Sequence, residues 1–342
     1  MIRVYVELSG ESEALAAAES IAASEALGGS RGANAAAAVS DLVPVDLPNE
    51  DAAVALASRL ALARRCLLLR SEPPEIGPVL RAAGSTGDSA AVRRLGSPSS
   101  GQQDPAVLEA GRAFKAGGGR IDLNAPDHRY WLAPGADRAD RLFEEVATVD
   151  RRSASSRRMP ALPFQRPVSL PPRLARAAAN LARVRPGDRV VDPFVGTGAL
   201  LAEAGLLGAR LYGVDRDAEM VRGALRNLAH LGVGAEQLVV GDAGDAEFPG
   251  EGAPFDAVLT DPPYGRASTT GGEGSAAVVD RVLPRWAARV RPGGRVVVIV
   301  PAAIRDFGPE WRSVARIPVR VHRSLTREFR VYERSDLTAR SA

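Results

Sequence analysis

The stretch from residue 189 to residue 300 constrains the fold more than any other part of the chain. Short apolar runs alternate there with helical periods, and acidic residues stand where the apolar runs stop. Residues 189–192, 211–215, 237–240 and 255–260 read as strands, and 199–207, 218–231 and 276–290 as amphipathic helices. The last strand, 294–300, ends in Val296-Val297-Val298-Ile299-Val300. A half-exposed strand alternates apolar and polar residues, whereas an unbroken apolar strand belongs in a parallel sheet covered on both faces by its crossover helices. Beyond it the pattern changes. Residues 319–322 and 328–332 flank a short turn at Leu325-Thr326, which predicts an antiparallel hairpin at one sheet edge. The expected architecture is an α/β, Rossmann-like sheet with an antiparallel C-terminal hairpin.

The N-terminal half has a different grain. Strands at 1–10, 39–47 and 66–69 and helices at 13–27 and 50–65 give a β-α-β-α-β order, a small α+β unit over 1–70. A short helix from Glu75, a turn-rich stretch at 96–103, a helix at 105–114 and strands at 120–123 and 128–132 follow, a second module over 71–149. Residues 150–172 open with arginines at 151, 152, 157 and 158, then carry prolines at 160, 163, 167, 171 and 172, and read as a linker. A helix over 173–184 stops at Pro186-Gly187 and opens the last domain, 173–342.

Composition removes several function classes. Cys66 is the sole cysteine, which excludes a disulfide framework or a cysteine-based zinc cluster, and three histidines give little for a metal site. No apolar run reaches the ~20 residues a membrane helix needs, and the alternating start, 1–6, lacks the apolar core of a signal peptide. A cytoplasmic protein without metal is expected. The net charge of +3 is unevenly spread: residues 1–150 hold 15 basic and 21 acidic side chains, 151–190 hold ten arginines and one acid, and 191–342 hold 19 of each sign. An arginine cluster of this density is either a phosphate-binding patch or a solvated linker.

The chemistry lies at the strand ends. Strand 189–192 runs into Asp192-Pro193-Phe194-Val195-Gly196-Thr197-Gly198, where Gly196 and Gly198 permit tight turning and close ligand approach before a helix. It lacks the Gly-Lys-Ser/Thr of a nucleotide phosphate loop, and Leu201 replaces the third glycine of a dinucleotide fingerprint. Asp215 ends the next strand, placed to accept from a ribose diol or to cap a helix, a role open equally to Asp217. Asp242-Ala243 follow the third strand, where an acid can accept from an adenine amine or simply sit in a loop. Asp261-Pro262-Pro263-Tyr264 follow the fourth. Two prolines stiffen that backbone, so a carboxylate and a carbonyl present two acceptors to one point, and Tyr264 offers a face for base stacking. Two acceptors at one point suit an aromatic amine.

These residues resemble a class I S-adenosylmethionine-dependent methyltransferase of the amino-methylating group. Arg166-Pro167-Val168-Ser169-Leu170-Pro171-Pro172-Arg173-Leu174-Ala175-Arg176 and His322-Arg323-Ser324-Leu325-Thr326-Arg327 are similar to the flanking motifs of tRNA guanosine-10 N2-methyltransferases of archaeal type. Upstream, 89–94 and 121–127 resemble pieces of a THUMP domain, which in that family accompanies an N-terminal ferredoxin-like unit. The resemblance implies S-adenosylmethionine as cofactor, held by Asp192, Pro193, Phe194, Gly196, Gly198, Asp215, Asp242 and Ala243, and catalysis by Asp261, Pro262, Pro263 and Tyr264. It implies tRNA as partner, with Arg93, Arg94, Arg151, Arg152, Arg157 and Arg158 as RNA contacts, and a monomer with room for a helper subunit. The expected reaction adds one or two methyl groups to a guanosine N2 amine in tRNA, at position 10. Residues 266–274, rich in glycine, suit a closing loop over the base. Two competing readings are an adenine-N6 methyltransferase, which shares the Asp-Pro-Pro-Tyr motif, and a non-catalytic RNA-binding protein on the same scaffold.

Overall fold

The computed structural model describes residues 1–32, 41–96, 104–135, 137–158, 161–166, 169–248, 252–263, 275–300, 307–322 and 325–335. The turn-rich stretch at 97–103, Tyr264 and the glycine-rich stretch 266–274 therefore lie outside the described residues. The chain divides into two compact units: 1–13, 27–58 and 63–150 form the first, and 14–26, 59–62 and 151–342 the second.

The first half of the chain supplies β1 (Ile2–Leu8), α1 (Glu13–Ala26), β2 (Ser30–Arg31), β3 (Leu42–Leu47), α2 (Glu50–Arg59), β4 (Ala63–Ser71), α3 (Ile76–Gly84), β5 (Ser89–Arg94), α4 (Pro105–Ala116), β6 (Arg120–Ile121), β7 (His128–Pro134) and β8 (Asp140–Thr148). Its strands form one sheet in the order β2-β3-β1-β4-β8-β7-β5-β6. The antiparallel β4–β8 pairing joins strands from 1–70 to strands from 71–149, so both stretches share a single sheet. Leu80, Phe114, Tyr130 and Leu142 pack one core of this unit. The Asp104 side chain accepts from the Ala106 and Val107 amides at the start of α4, with Pro105 in the first turn, where its missing N–H costs nothing. Cys66 is buried, and burial pushes its thiol up to about 12, as expected of a core residue.

The second unit is built from α5 (Pro172–Leu181), β9 (Arg189–Asp192), α6 (Ala199–Gly205), β10 (Arg210–Asp215), α7 (Ala218–His230), β11 (Gln237–Val240), β12 (Phe255–Thr260), α8 (Ser275–Ala287), β13 (Val290–Val300), β14 (Trp311–His322) and β15 (Leu325–Arg334). Its sheet order is β11-β10-β9-β12-β13-β15-β14. The first five strands are parallel, and β15 enters antiparallel between β13 and the edge strand β14. Val296, Val298 and Val300 join a cluster with Tyr212, Phe248, Phe255 and Trp286, while Val297 and Ile299 are equally buried on the other face. That two-sided burial is why the strand is apolar throughout. The chain moves outward from β9 through β10 to β11, then returns to place β12 on the opposite side of β9. Open α/β sheets bind ligands beyond the carboxyl ends of their strands at such a reversal.

Three buried polar groups shape the second unit. Glu19 of α1, without solvent exposure, accepts from the Ala61 and Leu62 amides and from Asn180 Nδ2. Capturing those two amides accounts for α2 ending at Arg59, six residues short of the expected helix. Burial pushes the Glu19 carboxyl up to about 7. Glu203 on α6 accepts from Arg157 Nε at 2.6 Å and from Arg176 Nε at 2.7 Å. Asn227 on α7 accepts from the Phe164 amide and donates to the Phe164 and Thr197 carbonyls, while the Ser169 and Thr197 hydroxyls lie 2.6 Å apart. Part of the stretch read as a linker is thus packed beside the 192–198 loop.

Candidate functional site

The 192–198 loop is folded by its own sequence. Asp192, 1% exposed at the end of β9, accepts from the Phe194 amide and from Thr260 Oγ1, each at 2.9 Å. One carboxylate oxygen therefore ties this loop to the last residue of β12. Pro193 is buried and Phe194 half-buried. Gly196 (φ +53°) and Gly198 (φ +82°) take left-handed conformations that favour glycine. A Cβ on Gly198 would also stand 3.1 Å from the Ala224 Cβ on α7.

Asp215 accepts from the Gly196 amide at 2.8 Å and from the Asp217 amide at 2.9 Å. Asp217, not Asp215, caps α7, accepting from the Glu219 amide. A carboxylate has about four acceptor sites, so Asp215 shapes the loop and retains capacity for a hydroxyl. Asp242 is engaged more fully: it accepts from the Gly244 amide at 2.6 Å and faces the Arg281 guanidinium at 3.0 Å. The Ala243 carbonyl accepts from Trp286 Nε1, which pins the turn after β11 to the core.

Asp261 directly follows β12, with Pro262 buried and Pro263 half-buried behind it. Its Oδ2 lies 2.8 Å from Arg327 Nη1 on β15. Burial pushes Asp192 up to about 7, and the charges of Asp261 and Asp215 add to that rise. Burial also raises Asp215, whereas the hydrogen bond from Arg281 lowers Asp242. The carboxyl ends of β9, β10 and β12 thus gather acidic groups whose charge suits a cationic ligand bearing hydroxyls.

Among the expected RNA contacts, Arg93 is exposed and donates to the Leu123 carbonyl. Arg94 is held between Asp104 and Asp140. Arg151, Arg152 and Arg158 are exposed, while Arg157 is directed inward onto Glu203. Two residues of the site carry no assignment from sequence. Arg327 stands in the hairpin motif with nothing local to mark its role, and Asn227 looks like an ordinary helix residue. Among the described residues no group of three or more His, Cys, Asp or Glu converges as a metal site, and no helix is long and apolar enough to cross a membrane.

Residues 161–326 match the UPF0020 family model, an RMKL-like methyltransferase domain. The chain is 37% identical over 196 residues to a tRNA (guanine(10)-N2)-dimethyltransferase of Methanothermobacter thermautotrophicus, covering 56% of this chain and 57% of that one. It is 30% identical over 169 residues to a protein of Methanothermococcus thermolithotrophicus named "Probable tRNA (guanine(10)-N2)-dimethyltransferase", covering 48% of this chain and 99% of that one. The crystal structure of TrmN from Thermus thermophilus aligns over 98% of this chain and 100% of that one, at 22% identity and a TM-score of 0.48. The chain spans about half the length of the first three curated relatives it matches. On sequence identity and the shared methyltransferase domain, the chain belongs to the family of the tRNA (guanine(10)-N2)-dimethyltransferases.

Proposed function

We propose that this chain transfers one or two methyl groups from S-adenosylmethionine to the exocyclic N2 amine of a guanosine in tRNA, at position 10. One observation carries the reading: Asp261, backed by two prolines, stands at the order reversal of a parallel sheet, with Asp192 and Asp215 at the ends of the adjoining strands. The names of the relatives support the same substrate.

The residues present fit the cofactor. The left-handed glycine turn opens the loop backbone, Asp215 can accept from a ribose hydroxyl, and the turn at Asp242-Ala243 would border an adenine. Asp192, Pro193 and Phe194 hold the loop in shape. When bound, S-adenosylmethionine supplies an electrophilic methyl group on a sulfonium. The chain's own residues do the rest. An exocyclic amine shares its lone pair with the ring and is a weak nucleophile. The Asp261 carboxylate and the Pro262 carbonyl accept its two N–H bonds, which favours a more tetrahedral nitrogen and frees the pair for attack. The nitrogen sheds one proton through the Asp261 carboxylate to solvent. Placement and electrostatics supply the acceleration. Tyr264 stacks on the base, which must first leave its helical stack at a cost of a few kcal/mol. The first unit and the exposed arginines 151, 152 and 158 hold the tRNA, with a THUMP-like role for residues 71–149, and the enzyme works in the cytoplasm as a monomer or with a helper subunit.

The test is incubation with labelled S-adenosylmethionine and either tRNA or duplex DNA, followed by mass spectrometry of the released nucleosides. N2-methylguanosine or its dimethyl form in tRNA is expected, with Asp261→Ala lowering the rate by about 10³-fold while cofactor still binds. N6-methyladenosine as product would redirect the assignment, and absence of cofactor binding in calorimetry would end the enzymatic reading.

A further inference from the structure

We propose that Arg327 is a positioning residue for Asp261: its guanidinium fixes the orientation of that side chain and keeps it an ionised acceptor until the methyl group is transferred. The inference rests on the function proposed above and assigns a role to a residue of the closing hairpin. Arg327 Nη1 lies 2.8 Å from Asp261 Oδ2, and the two side chains are 11% and 17% exposed. The contact spans 66 positions of sequence, so it is set by the tertiary fold. Arg327 does not sit on a loose loop. It pairs with Val319 of β14, and the residue after it, Glu328, pairs with Val300 of β13 and Pro318 of β14. Two positions on, Phe329 is fully buried. A strand held on both sides and anchored in the core delivers the guanidinium to a fixed point.

The chemistry requires such a partner. A protonated Asp261 would offer an O–H to the amine nitrogen and tie up the lone pair that must attack. The charged groups facing it among the described residues include Asp192 from β9 and Arg327 from β15. Charge on Asp261 and charge on Asp192 disfavour one another. Arg327 supplies the opposing cation, one that stays charged at every working pH and holds a carboxylate oxygen directionally.

The experiment compares wild type, Arg327→Gln and Arg327→Lys by three readouts: single-turnover methylation of tRNA from pH 5.5 to 9, cofactor affinity by calorimetry, and carbon-13 NMR titration of the Asp261 carboxyl, assigned with Asp261→Asn. Arg327→Gln should lower kcat by about 100-fold at pH 7, with cofactor affinity and KM for tRNA changed less than about threefold. Its acidic limb should move up by about one pH unit or more, as should the Asp261 titration. Arg327→Lys should restore about tenfold of the rate and part of the shift. Arg327→Gln with an unmoved acidic limb and an unmoved carboxyl titration overturns the proposal, whatever its rate. Should Arg327→Gln fail to fold, Arg327→Met decides by the same two readouts, and a Met variant unchanged from wild type in both overturns it. Wild type inactive on tRNA but with a titration that shifts on substitution sinks the proposed substrate and leaves this pairing standing.

Discussion

Glu203 gives the sharpest test of whether the arginines around residue 155 serve RNA or the fold. Its side chain is 2% exposed, and the partners Arg157 and Arg176 are 15% and 10% exposed. Three N–H···O contacts reach it: 2.6 Å and 3.4 Å from Arg157, and 2.7 Å from Arg176. Glu203→Gln keeps the shape, removes the charge, and turns an NH2 group toward a guanidinium. Removing one partner from a buried ion pair costs about 3–5 kcal/mol, because the remaining charge stays out of water without compensation. With an m-value of about 2–3 kcal/mol/M, the urea midpoint of the second unit falls by about 1–2.5 M. Trp286 and Trp311 report on that unit, and a Trp131→Phe background removes the signal of the first. Arg157→Gln leaves Arg176 on Glu203 and should cost about 1.5–3 kcal/mol, the range for a hydrogen bond to a charged group. Its effect on the salt dependence of tRNA binding should be nil, whereas replacing Arg151, Arg152 and Arg158 should flatten that slope by up to about 0.9 for each phosphate no longer neutralised. A midpoint shift below about 0.3 M for Glu203→Gln, or an Arg157 variant that flattens the salt slope without loss of stability, refutes the structural assignment.

Two further outcomes follow from the site. The folded-state carboxyl of Asp192 is raised to about 7, so the stability it contributes is fully present below the ordinary carboxylate range and is lost as pH rises toward 7; Asp192→Asn keeps the acceptor for Phe194 and Thr260 and should flatten the decline in urea midpoint between pH 4.5 and 8, and an unflattened curve rejects the buried charge as its source. Gly213→Ala places a Cβ 2.3 Å from Val195 Cγ2 and 2.9 Å from Leu238 Cδ2, and should cost about 1–3 kcal/mol by overpacking while displacing the 192–198 loop; thermal unfolding and cofactor calorimetry check it, and a variant equal to wild type in both is the contrary result.

Periodicity made the second unit legible. An apolar run such as 296–300 has one stable environment, and acids at the ends of 189–192, 211–215 and 255–260 mark one edge of the sheet. What escaped was set by contacts distant in sequence. β8 carries two adjacent buried residues, Leu142 and Phe143, among charged ones, and neither a strand nor a helix period is visible in it. α2 ends early because Glu19, about forty residues upstream, takes two of its downstream amides. Arg157 and Arg158 are neighbours with the same chemistry, and only the position of Glu203, 46 residues on from Arg157, separates the inward one from the exposed one.

Strand register explains why the cation beside Asp261 comes from the hairpin and sits on a long side chain. Thr260 on β12 pairs with Val298 on β13, and Val298 pairs with Arg330 on β15. Following that register, Asp261 lies level with Ile299 and Phe329, and Arg327 stands two residues nearer the start of β15, with its side chain on the same face. Two inter-strand spacings separate the backbones of β12 and β15 by about 10 Å. Because β15 runs antiparallel, its beginning lies at the edge where the parallel strands end, so a residue near the hairpin turn arrives at the switch point without any crossover. A short side chain cannot bridge that gap. A guanidinium on a three-carbon stem can, and it retains the fork needed to hold a carboxylate oxygen in direction as well as in charge. The antiparallel insertion of β15, which looks like an ornament at the sheet edge, is thus what lets a parallel sheet with acids at its rim place a fixed cation beside Asp261.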